Sequence, residues 1–131
     1  MAKNFSYRDL RIWQEAVELA LAVYGATRTF PKYELYGITY QMRRAAVSVP
    51  SNIAEGKGHH SDADLGRFLF HARGSLLELQ TQIVIARRLE YLSEAHAAKR
   101  MQTTDDLGRG LNGLIQTVRK NLRASGFANS E

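Results

Sequence analysis

LYGITYQMRRAAVSVPSNIAEG, residues 35–56, is the stretch on which the fold of this chain turns. An apolar pattern of helical period, Ala45, Ala46, Val49, Ile53 and Ala54, runs straight through a proline at position 50. Pro50 has no N–H to give the carbonyl of Ala46, and its ring crowds that carbonyl. Inside a helix this costs about 3 kcal/mol and forces a bend. Ser48, Ser51 and Asn52 lie within a turn and are placed to satisfy the freed oxygen, directly or through water. The stretch therefore predicts a proline-kinked helix, with Pro50 and Asn52 as its structural residues. Two short helices meeting at Val49 are the alternative, because the residue before a proline avoids the α region.

Working outward, three more helices are expected. Ser6 with Asp9 three residues on is a capping pattern, and Leu10, Trp13, Ala16, Val17, Ala20, Leu21 and Tyr24 follow at helical spacing. The first helix is predicted from about Tyr7 to Thr29, stopped by Phe30-Pro31. Gly56 and Gly58 end the second. Ser61 with Asp64 starts the third, whose stripe is Leu65, Phe68, Ala72, Leu76, Leu79, Ile83 and Ala86. A second stripe on it, Leu69, Leu77, Val84 and Ile85, is wider than one neighbouring helix would cover. Ser93 opens the fourth, with Ala97, Met101, Leu107, Leu111, Leu114, Ile115, Val118 and Leu122 inward, and the tail is expected to fray from about Ser125. Gly108, Gly110 and Gly113 predict either tight packing or a local break there. No stretch alternates as a strand would. The fold class is all-α: an antiparallel up-down four-helix bundle with a kinked second helix, in a single domain spanning 1–131.

Composition narrows the function. At 131 residues and 44% hydrophobic content, the chain can bury a core without staples. It has no cysteine, which excludes disulfides, thiolate nucleophiles and thiolate metal sites. The N-terminus MAKNFSYRDLRIW is too polar for a secretory signal, and no apolar run approaches the roughly 20 residues of a membrane span. A cytoplasmic protein without membrane attachment is expected. The formal net charge is +5, and the excess is spread along the chain with no basic tail. Any positive patch must be assembled by folding or by oligomerisation.

No GxxxxGK[ST], GxGxxG or GxSxG motif occurs, so phosphate-loop, dinucleotide and hydrolase chemistry have no anchor. His59-His60 with Asp62 and Asp64 is the one grouping with metal-ligand residue types, but adjacent histidines on a loop point apart, and a solvated loop and helix cap is the better reading. His71, His96 and Glu55 lack partners at helical spacing. The expectation is a non-enzyme with no cofactor and no metal. The basic doublets carry more: Arg43-Arg44, Arg87-Arg88, Lys99-Arg100, and Arg119-Lys120 with Arg123. Arginine's planar fork suits phosphate and stacking. Adjacent charges on a helix point about 100° apart, so the later doublets also read as ordinary solvated edges. Arg43-Arg44 differs, because it sits among alanines and small side chains, where two long cations are costly unless they line a subunit surface, a pore or a ligand groove.

The stretches FSYRDLRIWQEAVELALAVYGATRTFP, YELYGITYQMRRAAVSVPSNIAEGKG and FLFHARGSLLELQTQIVIARRLEYL together resemble the bacterial four-helix-bundle proteins encoded in intervening sequences of large-subunit ribosomal RNA. The likeness covers about Phe5 to Leu92; the most specific block holds Arg43-Arg44, Pro50, Asn52 and Glu55-Gly56. Ile38 and Val49 stand where the family pattern often has Leu and Ile, changes that keep the packing chemistry. The resemblance implies a ring-like homopentamer with a positive face suited to nucleic acid. It also implies kinship with accessory proteins of diversity-generating retroelements, which bind a reverse transcriptase and its RNA. It implies no catalytic residues. The expected function is an oligomer binding RNA or DNA backbone through Arg43, Arg44, Arg87, Arg88, Lys99, Arg100, Arg119 and Lys120. The alternative is a scaffold that docks a protein such as a reverse transcriptase.

Overall fold

The computed structural model describes residues 6–59 and 61–126. Four helices follow one another: α1 (Arg11–Thr27), α2 (Ile38–Gly58), α3 (Asp62–Arg88) and α4 (Glu94–Ala124), with no strand among the described residues. The serine start signals work as the sequence predicts. Ser61 accepts from the amide of Asp64 and Ser93 from that of His96, each at 3.1 Å, satisfying N–H groups that have no partner within the helix. Ser6 and Asp9 form a reciprocal capping box, yet it opens only a 3-10 turn, Tyr7–Asp9. Leu10 then turns extended, and α1 begins four residues later than the predicted Tyr7. The helix also stops at Thr27, short of Thr29.

The core joins Ala16, Leu19 and Val23 of α1, Met42, Ala46, Val49 and Ile53 of α2, Leu69, Leu76, Leu79 and Ile83 of α3, and Leu107, Leu111 and Ile115 of α4. Two threonines are buried with them. Thr27 and Thr104 return their hydroxyl protons to the carbonyls of Val23 and Met101, both at 2.8 Å, which lowers the cost of their burial. On α1 the expected face is rotated: Leu21 and Tyr24 are exposed, and Leu19, Val23 and Thr27 take their place. On α3 the main stripe is core from Ala72 onward, while Leu77, Val84 and Ile85 of the second stripe stay exposed.

Helix α2 is continuous through Pro50, so the two-helix alternative does not occur. The polar groups around the proline act differently from the expectation. Asn52 Nδ2 donates to the carbonyl of Ser48 at 2.8 Å and to its hydroxyl at 3.0 Å, and that hydroxyl meets Ser75 of α3 at 2.8 Å. These groups tie α2 to α3 rather than satisfy Ala46. Helix α4 likewise runs unbroken through Gly108, Gly110 and Gly113. Packing accounts for two of the three: a Cβ on Gly110 would lie 3.4 Å from Ile12 Cδ1 and one on Gly108 3.5 Å from Leu76 Cδ2, while Gly113 faces open space.

The contacts of α3 with α2 and with α4 run in opposite senses along the paired helices. Ser48 meets Ser75 while Gly56, farther along α2, sits against Phe68 and Leu65. Arg73 reaches Asn112, and Gln80 reaches Thr104 and Asp105. One end of the molecule is closed by side chains from two of the three inter-helix links, the one before α2 and the one after α3. Glu34 accepts from the Ile38 amide at 3.4 Å and from the Tyr91 hydroxyl at 2.8 Å, and Tyr33 lies 3.2 Å from the same hydroxyl. The bond to Tyr33 and then the Glu34 carboxylate push the Tyr91 hydroxyl well above its usual pKa.

Candidate functional site

The eight basic residues singled out in the sequence do not converge. Arg43 is half-buried and tied inward: its Nε donates to Thr27 Oγ1 at 2.9 Å, and its guanidinium lies 4.7 Å from the centroid of the Tyr24 ring. Arg44 is exposed on the next face. The two border a shallow groove of about 530 Å³ with Leu35, Tyr36, Tyr40 and Val47, an apolar and aromatic surface. Arg87 and Arg88 are exposed at the close of α3, beside Glu90 and Glu94. Lys99 is exposed, whereas Arg100 is half-buried in a groove between α1 and α4 that also holds Glu15, Glu18 and Asp106.

Arg119 is the exception, because folding brings it to residues that its own helix does not supply. The first half of α3 and the last turns of α4 enclose an open groove of about 1190 Å³, bordered by Arg67, Phe70, His71, Gly74, Arg119 and Arg123. Its origin is geometric. Helix α1 begins at Arg11, and Gly110 packs on Ile12, so the turns of α4 beyond that point have left α1 behind. Gly66 admits Val118 to the seam, with Val118 Cγ1 3.3 Å from where a Cβ would stand. Above this floor the walls separate.

Phe70 stands on the α3 wall and is 37% exposed. Two guanidiniums lie against its ring: Arg73 at 4.8 Å from the centroid and Arg119 at 5.0 Å. Arg73 also donates to Asn112 Oδ1 at 3.1 Å. Among the described residues no carboxylate forms an ion pair with Arg73, Arg119 or Arg123, nor with Arg43, Arg44, Arg87 or Arg88. Arg67 is engaged differently. It bonds Asp64 at 2.9 Å and stacks 5.0 Å from the Phe68 centroid. That bond, and the one from Ser61, hold the Asp64 carboxyl below its usual pKa. His59 stacks on the same Phe68 at 5.0 Å; His60 lies outside the described residues. Among the described residues no three His, Cys, Asp or Glu side chains gather as a metal site.

The missed residues had a signal. Arg67, Phe70 and Arg73 follow one another at three-residue spacing, which places them along one side of a helix. Their link to Arg119 needed the register between α3 and α4, which no local pattern states.

An all-helical bundle with arginines gathered on an inter-helix groove defines a small basic bundle protein, and no helix among the described residues is long and apolar enough to cross a membrane. The chain matches the 23S rRNA-intervening sequence protein family over residues 8–113, and it belongs to that family. No curated protein matches it.

Proposed function

We propose that this chain is a non-catalytic protein that binds nucleic acid through its arginine-bearing surfaces and works as an oligomer. The observation that carries the reading is the α3–α4 groove, whose Arg119 shares the Phe70 ring with Arg73 from just outside the lining, and among the described residues neither arginine is paired with a carboxylate. Like charges held together without a counter-charge favour an anion between them, and phosphate is the anion that planar guanidiniums fit best. Arg123, one turn beyond Arg119, extends the cationic wall. Oligomerisation is supported by the exposed Leu77 and Ile85 on α3 and Leu89 just beyond its end, side chains that a second chain would remove from water. The homopentamer implied by the resemblance is the assembly we expect.

The test is fluorescence anisotropy of labelled RNA and DNA across a salt series. Binding is expected to weaken linearly with log salt, and Arg119→Gln is expected to reduce that slope by about one unit, the equivalent of one phosphate contact. A slope unmoved by Arg119→Gln would remove the groove from the interface. A second reading has its own support. Tyr36 at 89% exposure, with Tyr40, Leu35 and Val47 around Arg44, offers a surface suited to a protein partner such as a reverse transcriptase. Absence of nucleic-acid binding at low salt would turn the assignment to that scaffold role.

A further inference from the structure

We infer that the α3–α4 groove takes a single strand of nucleic acid, with one unstacked base against Phe70 and the adjoining phosphodiesters on Arg119 and Arg123. This rests on the nucleic-acid reading above and goes further, to the kind of strand.

Three observations point the same way. Phe70 is a large apolar side chain, partly open to water, on the charged wall of a groove rather than in an apolar patch. Arg119 of the facing helix reaches across to it, 5.0 Å from the ring centroid, and Arg73, next along α3 and outside the groove lining, steadies it at 4.8 Å. A fixed aromatic ring flanked by cations is the arrangement on which single-stranded nucleic acids stack, because every base has a π-face while the cations follow the backbone. The cations are also strung out. Arg119 and Arg123 are separated by about 6 Å along α4. Such spacing suits successive phosphates better than one isolated ion.

A duplex fits less well. Its bases are stacked inward, and what it presents to a groove between two helices is backbone, which gives Phe70 nothing to stack on. Ribose and deoxyribose strands share the chemistry that the ring and the arginines read. Glu78, at the groove border, is an acceptor for the 2′-hydroxyl that ribose has and deoxyribose lacks, so the sugar separates the two sources.

The experiment titrates the full chain into labelled oligouridylate, oligothymidylate, an abasic strand of equal length and a duplex. Both single strands are expected to bind more tightly than the duplex, and the abasic strand about tenfold more weakly than oligouridylate. Phe70→Leu is expected to weaken both single strands about tenfold while leaving the salt slope and the abasic strand unchanged; Phe70→Tyr, which keeps the π-face, retains binding. Preference for oligouridylate over oligothymidylate would assign the site to RNA, and equal affinity to any single strand. Equal binding of abasic and base-bearing strands, or a duplex preferred with Phe70→Leu neutral, overturns the inference while the nucleic-acid reading stands. No binding of any probe at low salt overturns both. Helical circular dichroism of each variant separates lost binding from lost folding.

Discussion

Helix α3 has two seams, and they are built on opposite principles. Towards α2 it is closed. The serine pair Ser48–Ser75 crosses it at 2.8 Å, and Gly56 approaches so closely that a Cβ there would sit 2.8 Å from Phe68 Cβ. Towards the end of α4 the same helix is open, because α1 no longer backs the pair and the walls carry arginines. Small residues let backbones meet; long cations hold them apart. The first seam uses its side chains on itself, and the second leaves them available. The contrast appears again in two arginine pairs. Arg43-Arg44, adjacent in sequence, is split by the helix so that one member is tied to Thr27 and the other faces water. Arg73 and Arg119, far apart in sequence, share Phe70.

Substitutions test this contrast in order of expected size. Ile53, fully buried on α2, should cost about 2–5 kcal/mol as Ile53→Ala in denaturant unfolding. Leu122→Ala on the groove wall, half-buried, should cost about 1 kcal/mol. Equal losses would mean that the groove is as tightly packed as the core. A glycine pair gives a sharper test, because the same methyl should act with opposite sign. Gly56→Ala is expected to destabilise by about 1–3 kcal/mol, since the neighbouring atom is a Cβ close to the backbone and cannot swing away. Gly74→Ala, with nothing within 4 Å, should stabilise α3 by up to about 1 kcal/mol in thermal unfolding. Two shifts of the same sign would break the comparison.

The smallest effect is pH dependence at the start of α3. Asp64 has its folded pKa lowered from its usual 3.8 by Arg67 and Ser61. The stability it adds is therefore present above that value and lost as pH falls below it, through the lowered folded value. Asp64→Asn should melt lower than the parent chain near neutrality, and the gap should narrow on acidification below about pH 4. A gap that stays constant with pH would show that the cap acts without its charge.

The four helices and their bundle packing were legible. Serine caps and the stripe of α3 are local signals, and local physics decides them: Ser61 and Ser93 cap as their spacing says, and Ala72, Leu76, Leu79, Ile83 and Ala86 are core. Helix α1 misled because it is apolar on more than one side. Period alone could not choose Val23 and Thr27 over Leu21 and Tyr24, and a threonine that bonds its own backbone is invisible to an apolar count. Gly108, Gly110 and Gly113 read equally as a break or a packed seam, since the deciding atoms, Leu76 Cδ2 beside Gly108 and Ile12 Cδ1 beside Gly110, come from other helices. The groove was the least legible part. Arg67, Phe70 and Arg73 carried a helical spacing that could have been read, but the partner wall lies on α4 beyond residue 113, outside the stretch matched to the family.

The contacts among Glu34, Tyr33 and Tyr91 pin together the link before α2 and the link after α3, at the opposite end of α3 from the groove. A bundle clasped at one end and spread at the other does not breathe evenly. Its local opening is expected to start where the clasp is absent, so the groove walls are the first to move, and a strand bound there as proposed would complete a closure that the chain makes for itself only at its other end.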